Sequence, residues 1–333
     1  MQDVTPNLFL DAANSYHKTA AMIAALDLGL FTAIAEGADT SVALAAKVGA
    51  AERGTRILAD YLTIQGFMTK SDSVYTLTAS SAAFLDKRSP AYLGSATDFL
   101  ASAEMRTMVF ADPVGVVRSG GSLGLGTLGP GDPIWIRFAR ALAPLVTPTA
   151  RAVADFVAAW PIPPEKVLDV SAGHGLFGIS IAIAAPDAQV IALDWDGVLK
   201  IARENAEKFG VADRFREIAG SAFDVDWESG YDLILIPNFL HHFDPDACAS
   251  LLKRARQALS SKGRAFAVEF VPNPDRVSPA RPAMFAFIML FSTPHGDAYT
   301  LAEIDAMGQR AGFRGIADTP LPPGPSTLIE FLI

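Results

Sequence analysis

Apolar residues recur at helical spacing through Ala12–Ala35, where Met22, Ile23, Leu26, Leu30, Phe31 and Ile34 share a face and Gly29 and Gly37 punctuate the run. Thr40 or Ser41 can cap a short helix that Gly49 ends, and a second helix is predicted over Glu52–Gln65 with Ile57, Leu58, Tyr61 and Leu62 on one face. Gly66-Phe67-Met68 and Val74–Thr78 then read as two small strands joined by Lys70–Ser73. Helix, turn, helix and hairpin is the order of a winged helix. Residues 100–135 form a connector with loop-forming glycines from Gly120 to Gly131. Ile134–Ala159 reads as one or two helices, ended by the break at Pro161–Pro164.

From Lys166 the pattern changes to alternating strands and helices. Strands are predicted at Val167–Val170, Gln189–Asp194, Arg214–Ile218, Tyr231–Ile236, Gly263–Phe270 and Ser326–Leu332. Helices fall between them, up to Ala184 and over Val198–Phe209, Ala247–Leu259 and Leu301–Ala311. Such alternation implies a largely parallel sheet covered by helices on both faces, an α/β fold. The predicted organisation is an N-terminal domain (1–100), connector helices (101–160) and a ligand-binding domain (161–333).

Charge narrows the partners. The net charge is −9, which repels phosphate backbones and makes nucleic acid a poor partner. The second helix of the winged-helix pattern carries only Arg53 and Arg56 as bases, beside Glu52 and Asp60, so a dimerisation role is the better reading than DNA recognition. The single cysteine, Cys248, precludes an internal disulfide and fits a reducing compartment. Met1–Asn7 lacks the basic cluster and apolar run of a secretory signal. The most apolar stretches, Ala20–Ala35 (interrupted by Asp27) and Ala283–Phe291, fall short of the ~20 residues that span a bilayer. A cytoplasmic protein is expected. Its positive mean hydropathy fits either a large core or an apolar surface buried in an oligomer or a cavity.

The sharpest local signal is Asp169-Val170-Ser171-Ala172-Gly173-His174-Gly175-Leu176-Phe177-Gly178, between a strand and a helix. Gly173 and Gly175 remove side chains where a ligand presses on the backbone. Asp194 ends the next strand, where a carboxylate can accept hydrogen bonds from both hydroxyls of a ribose. Together they point to an adenosine-containing cofactor. The three glycines also satisfy the dinucleotide fingerprint G-x-G-x-x-G. Two features favour S-adenosyl-L-methionine over a nicotinamide: the loop begins at mid-chain, and Asp169 would face a pyrophosphate unfavourably but suits a cationic ligand.

With these motifs the chain resembles the class I S-adenosylmethionine-dependent methyltransferases, and within them the dimeric small-molecule O-methyltransferases that include plant phenolic and bacterial polyketide enzymes. The resemblance covers nearly the whole chain. It implies a Rossmann-like domain with a mostly parallel seven-stranded sheet, preceded by a mainly α winged-helix dimerisation domain, and a homodimer. The family's glycine motif matches Asp169–Gly175, its ribose-binding acid Asp194, and Trp195 is placed to lie against the adenine. Its adenine-contacting segment matches Gly220-Ser221-Ala222-Phe223, where the family often has an acid at Ser221, and Asn238 joins the cofactor set.

In Asn238-Phe239-Leu240-His241-His242-Phe243-Asp244 the family's general base matches His241, and many members have an acid where His242 stands. A phenol with pKa near 10 is a poor nucleophile at neutral pH, and an imidazole can take its proton as the oxygen attacks a methyl group. No metal is required, and no cluster has metal-ligand spacing. Glu269 and Glu330 match acids that orient the base, and a third family acid falls near Ala298, missing or shifted to Asp297. The acceptor pocket is expected from Ala283–Phe291, with Phe285 and Met289 singled out, and from Met105, Met108 and His295. His17 and Cys248 read as structural, and His174 as either a cofactor contact or a solvent-facing residue. Methylation of carbon, nitrogen or sulfur on the same scaffold, and a ligand-sensing winged-helix regulator, are the competing readings.

Overall fold

The computed structural model describes residues 4–322 and 324–333; Met1–Asp3, the start of the stretch read above for a signal, lie outside them. The chain divides into two compact units after Ala103.

The N-terminal unit contains α1 (Asn7–Asp27), α2 (Leu30–Ala35), α3 (Ser41–Val48), α4 (Glu52–Ile64), an antiparallel hairpin of β1 (Met68–Ser71) and β2 (Val74–Leu77), α5 (Ala79–Leu85) and α6 (Thr97–Leu100). The single apolar run expected over Ala12–Ala35 is two helices, because Gly29 adopts φ +69° and turns the chain between α1 and α2. Thr40 is the N-cap of α3, accepting from the Ala43 N–H at 3.3 Å. Leu26, Leu30, Phe31, Leu44, Leu62, Met68 and Tyr75 form this unit's core. Residues 4–20 contribute nothing to it and are exposed throughout.

Past the boundary come α7 (Ala103–Phe110), α8 (Pro113–Ser119) and the long α9 (Pro133–Ala158), a single helix that runs through Pro144 and Pro148. The alternating region then follows: β3 (Lys166–Val170), α10 (Leu176–Ala184), β4 (Gln189–Asp194), α11 (Asp196–Lys208), β5 (Phe215–Ala219), β6 (Tyr231–Pro237), α12 (Pro245–Ala258), β7 (Leu259–Phe270), α13 (Ala280–Ser292), α14 (Leu301–Arg310), β8 (Gly315–Leu321) and β9 (Ser326–Leu332). The sheet has the order β5-β4-β3-β6-β7-β9-β8, parallel from β5 through β7, with β9 antiparallel to both its neighbours. β8 carries Pro320 and a partly exposed pattern at the sheet edge, so its sequence lacks the apolar alternation that announced the other strands.

Side chains alternate between the two faces of this sheet. Leu168, Val170, Ile234, Ile236, Ala265, Ala267 and Ile329 face α12 and α14 through Leu251, Leu252, Ile304 and Met307. Val167, Leu233, Leu235, Phe266, Val268 and Leu328 face α9 and α10 through Val153, Val157, Phe177 and Ile181. The strand order reverses between β4-β3 and β3-β6, the place where a doubly wound sheet opens a crevice beyond its carboxyl ends. Among the described residues, no helix is long and apolar enough to cross a membrane.

Candidate active site

The loop after β3 opens at this crevice. Asp169 is fully buried, and its Oδ2 accepts the Gly178 N–H at 2.9 Å, tying β3 to α10. Its Oδ1 is buried without a hydrogen-bond partner. The three glycines have different reasons to be glycine. Gly173 sits at φ +58°, and a Cβ there would meet only the Ser171 carbonyl oxygen at 3.9 Å, so the backbone is free to receive a ligand. At Gly175 and Gly178 a Cβ would stand 2.9 Å from Ala202 Cβ and 2.6 Å from Val190 Cγ1, so these two serve close packing against α11 and β4.

Asp194, at the end of β4, accepts the Gly173 N–H at 2.8 Å and the Trp195 N–H at 2.7 Å. It therefore shapes the glycine loop while keeping lone pairs for a ligand. Burial raises Asp169 to about 7 and Asp194 to about 6. Trp195 packs edge-to-face on Trp135 of α9, with ring centroids 5.2 Å apart. Ser221 Oγ accepts the Phe223 N–H at 3.2 Å, the Ala222 carbonyl accepts Trp227 Nε1 at 2.9 Å, and the Phe223 ring joins Phe239 and Phe243. Asn238 follows β6 at φ +53°, unusual for a residue with a side chain, and its Oδ1 is buried without a partner. Two orphaned acceptors, on Asp169 and Asn238, thus occur at the carboxyl ends of adjacent strands, a donor set suited to a cationic head group.

Next to them lies a buried histidine–carboxylate pair. His241 Nδ1 is 2.5 Å from Glu269 Oε2, and both side chains are almost fully buried. The other oxygen, Oε1, accepts the N–H groups of Phe239 at 3.1 Å and Leu240 at 2.9 Å. Glu269 therefore holds the ring and the turn that carries it. With Nδ1–H given to the carboxylate, Nε2 is the acceptor. The turn is held elsewhere too: Cys248 Sγ donates to the Leu240 carbonyl at 3.1 Å, and Tyr299 Oη to the Phe243 carbonyl at 2.5 Å. A Cβ at Gly296 would stand 2.2 Å from the His241 carbonyl oxygen, so the 293–300 loop lies flat against the turn. Nothing in the spacing of Cys248, Gly296 and Tyr299 announced this support, because it depends on three segments meeting in space.

Phe285 of α13 stands edge-on to His241 with centroids 4.7 Å apart, and Phe270 lies 4.2 Å from Phe285. Met289 is buried one turn further on, while His295 is exposed. Met105 is half-buried on α7, a helix with no buried residue. The glycine-rich connector closes on this region: Ser122 N–H donates to the Thr293 carbonyl at 3.0 Å, and Gly121 and Gly124 pack on the Pro294 and Ser292 carbonyls.

Glu330 requires a correction. It pairs with Phe266 across β7 and forms an ion pair with Arg264 at 3.3 Å. Phe266 lies three residues before Glu269, about 10 Å along the strand and on the opposite face of the sheet. Glu330 thus does not orient His241. Asp297 is likewise engaged elsewhere, with Arg276 at 3.0 Å, and Ala298 is buried, so Glu269 is the carboxylate on the histidine. His174 is buried rather than facing solvent. Its Nδ1 accepts the Leu176 N–H at 3.1 Å, and burial lowers its pKa to about 4.

Residues 149–314 match the family model described as an O-methyltransferase domain, and residues 10–87 that of an O-methyltransferase dimerisation domain. A solved structure of a candidate O-methyltransferase from Nostoc punctiforme is 44% identical, with a TM-score of 0.94 over 99% of each chain. The chain belongs to the S-adenosylmethionine-dependent O-methyltransferases. A relative among these enzymes, the 3-hydroxy-5-methyl-1-naphthoate 3-O-methyltransferase of Streptomyces sahachiroi, is 27% identical over 90% of this chain and 86% of its own length. The human N-acetylserotonin methyltransferase, solved with S-adenosylmethionine, shares the fold at a TM-score of 0.83 and 21% identity, over 99% of this chain and 98% of that one. The family is Rossmann-like with a helical dimerisation domain, and its members act on small molecules with S-adenosyl-L-methionine as methyl donor.

Proposed function

We propose that this O-methyltransferase methylates a hydroxyl group on a small aromatic acceptor, with His241 as general base. The observation that carries the reading is the buried His241–Glu269 pair beside the two orphaned acceptors at the strand ends. When bound, S-adenosylmethionine supplies a methyl group made electrophilic by the sulfonium. Asp169 and Asn238 would hold its ammonium through the buried acceptors, Asp194 its ribose hydroxyls, and Trp195 with Ser221, Ala222 and Phe223 its adenine. Gly173 lets the backbone approach, and Gly175 keeps the loop packed against α11.

His241 Nε2 accepts the hydroxyl proton of the acceptor as its oxygen forms a bond to the methyl carbon. The carbon–sulfur bond breaks with its electron pair going to sulfur, leaving a neutral thioether. The imidazolium formed on His241 is stabilised by the Glu269 carboxylate at 2.5 Å, while the two backbone N–H bonds keep that carboxylate fixed. Phe285 and Phe270 offer flat apolar walls beside His241, with Met289 buried one turn further along α13, which is why an aromatic acceptor fits best.

The N-terminal unit would pair two copies. The exposed half of α1 is a helix with nothing of its own unit to cover it, which supports the homodimer. Radiolabelled methyl transfer to a panel of phenols and naphthols, alongside calorimetric binding of S-adenosylmethionine to wild type and Asp194→Ala, tests the reading. Transfer to oxygen and binding weakened about tenfold or more by the substitution are expected; transfer to carbon, nitrogen or sulfur alone overturns it.

A further inference from the structure

The chain leaves the carboxyl end of β5 beside Asp194, where the Gly220 N–H donates to the Asp194 carbonyl at 2.9 Å. From there to β6 it runs without helix or strand. Such a segment keeps one shape only when its carbonyl groups find donors. Side chains supply several of them. Trp227 Nε1 reaches back to the Ala222 carbonyl at 2.9 Å, and Tyr231 Oη of β6 donates to the Trp227 carbonyl at 2.6 Å. Two more donors come from one residue of α12. Arg254 Nη1 donates to the Phe223 carbonyl at 2.7 Å, and Nη2 to the Val225 carbonyl. Its Cζ also stands 5.4 Å from the centroid of the Trp227 ring.

An arginine used in this way is unusual. Charges withdrawn from water ordinarily meet an opposite charge. Arg254 is half-buried, yet among the described residues its guanidinium is spent on neutral carbonyls and an aromatic ring, with Nε buried and unpartnered. Lys253, its neighbour on the same helix, is exposed. The burial of Arg254 is therefore specific to the loop it holds. Its planar fork sets two donors on the carbonyls of alternate residues, a grip that a single ammonium cannot copy. α12 thus braces two places: Cys248 holds the Leu240 carbonyl of the His241 turn, and Arg254 holds the loop beside Asp194.

We propose that Arg254 is a positioning residue for the methyl donor, gripping the Phe223 and Val225 carbonyls so that the Ser221-Ala222-Phe223 backbone stands fixed where the adenine is recognised. This rests on the assignment of that segment to the adenine and deepens it. These three residues carry no charged group, and Ser221 Oγ is itself engaged by the Phe223 N–H at 3.2 Å. Recognition of the purine then depends on where their backbone is held. Arg254 acts through the loop and takes no part in the chemistry.

The test is calorimetric binding of S-adenosylhomocysteine and S-inosylhomocysteine, which differ only along the N1–C6 edge of the purine, together with steady-state kinetics of the intact protein. Wild type should prefer the adenine compound by about tenfold, the worth of one hydrogen bond in a desolvated site. Arg254→Met keeps an unbranched stem and removes the grip. It should bring that preference to near unity and raise the KM for S-adenosylmethionine about tenfold, with kcat at saturating donor and the KM for the acceptor within about twofold of wild type. Arg254→Lys, which can hold one carbonyl, should recover part of the preference, an effect that a merely structural role would not produce. Lys253→Met should change neither quantity. Trp227→Phe keeps a ring and removes the donor to the Ala222 carbonyl, so it should give the same signature even if Arg254→Met folds poorly. A purine preference that survives both Arg254→Met and Trp227→Phe, or a loss confined to kcat, overturns this inference and leaves methyl transfer to oxygen standing. A wild type that binds both compounds equally overturns the assignment of the segment to the adenine, and this inference with it.

Discussion

The Nδ1 of His241 lies 2.5 Å from Glu269 Oε2, and the opposite oxygen of the same carboxylate accepts the N–H groups of Phe239 and Leu240. One side chain on β7 thereby sets the tautomer of His241 and the position of the turn that bears it. Glu269→Gln removes the negative charge that stabilises the imidazolium and permits the wrong tautomer. The turnover number should fall by about 10²-fold or more, with the affinity for S-adenosylmethionine little changed. Single-turnover kinetics with a calorimetric binding control measures the split. A fall confined to KM would contradict the assignment.

The acids at the cofactor crevice make a prediction about pH. Burial raises Asp169 to about 7 and Asp194 to about 6, from 3.8. The folded chain without ligand holds these protons in a window where the unfolded chain has lost them. Its stability should therefore fall as pH rises from 3.8 toward about 7. A cation beside the carboxylates favours their charged forms, so binding of S-adenosylmethionine should release protons in that window. Affinity should climb with pH and flatten above about 7. Calorimetry in buffers of different ionisation enthalpy counts the protons. Asp169→Asn should weaken binding and remove most of its pH dependence. Proton uptake on binding would sink this account.

The glycine loop separates ligand approach from packing. Gly178→Ala places a Cβ 2.6 Å from Val190 Cγ1 and should destabilise the protein by about 1–3 kcal/mol, read as a lower melting temperature. Gly173→Ala makes no close contact, its nearest neighbour being the Ser171 carbonyl oxygen at 3.9 Å, so its cost to the fold is the strain of a left-handed backbone, about 1 kcal/mol. Its larger effect should be on cofactor affinity. Equal loss of binding in both variants, at equal stability, would contradict the division.

Much of this was legible in the sequence. The strands around the crevice announce themselves because parallel strands buried on both faces are continuous apolar runs, as in Val190–Leu193 and Leu233–Ile236. The glycine loop and Asp194 were readable because glycines between a strand and a helix, with an acid ending the next strand, form a local pattern along the chain. β8 was not, since an exposed edge strand with Pro320 carries no apolar alternation. Glu330 was misassigned for a related reason. Which face of the sheet an acid occupies depends on register, and the pairing of Glu330 with Phe266 rather than Glu269 is set by the whole β7–β9 ladder. The support of the His241 turn by Cys248, Gly296 and Tyr299 lies further still from any local pattern.

Residues 4–20, with Leu8, Phe9, Leu10 and Tyr16 among them, are exposed in one chain. Helical segments shorter than about 12–15 residues are marginal in water without packing partners. A second copy is the proposed cover. Light scattering at micromolar concentration should give about twice the chain mass of 35.3 kDa, and removal of residues 1–20 should lower it to that of a single chain. A single-chain mass for the intact protein is the contrary result.

The central claim is most directly met by measuring methyl transfer from S-adenosylmethionine to the best acceptor of the phenol and naphthol panel by wild type and His241→Ala, with cofactor affinity determined on both. The account predicts a loss of about 10²–10⁴-fold in transfer rate and an unchanged affinity for the cofactor. Transfer by His241→Ala at the wild-type rate would contradict it and remove the histidine from the chemistry.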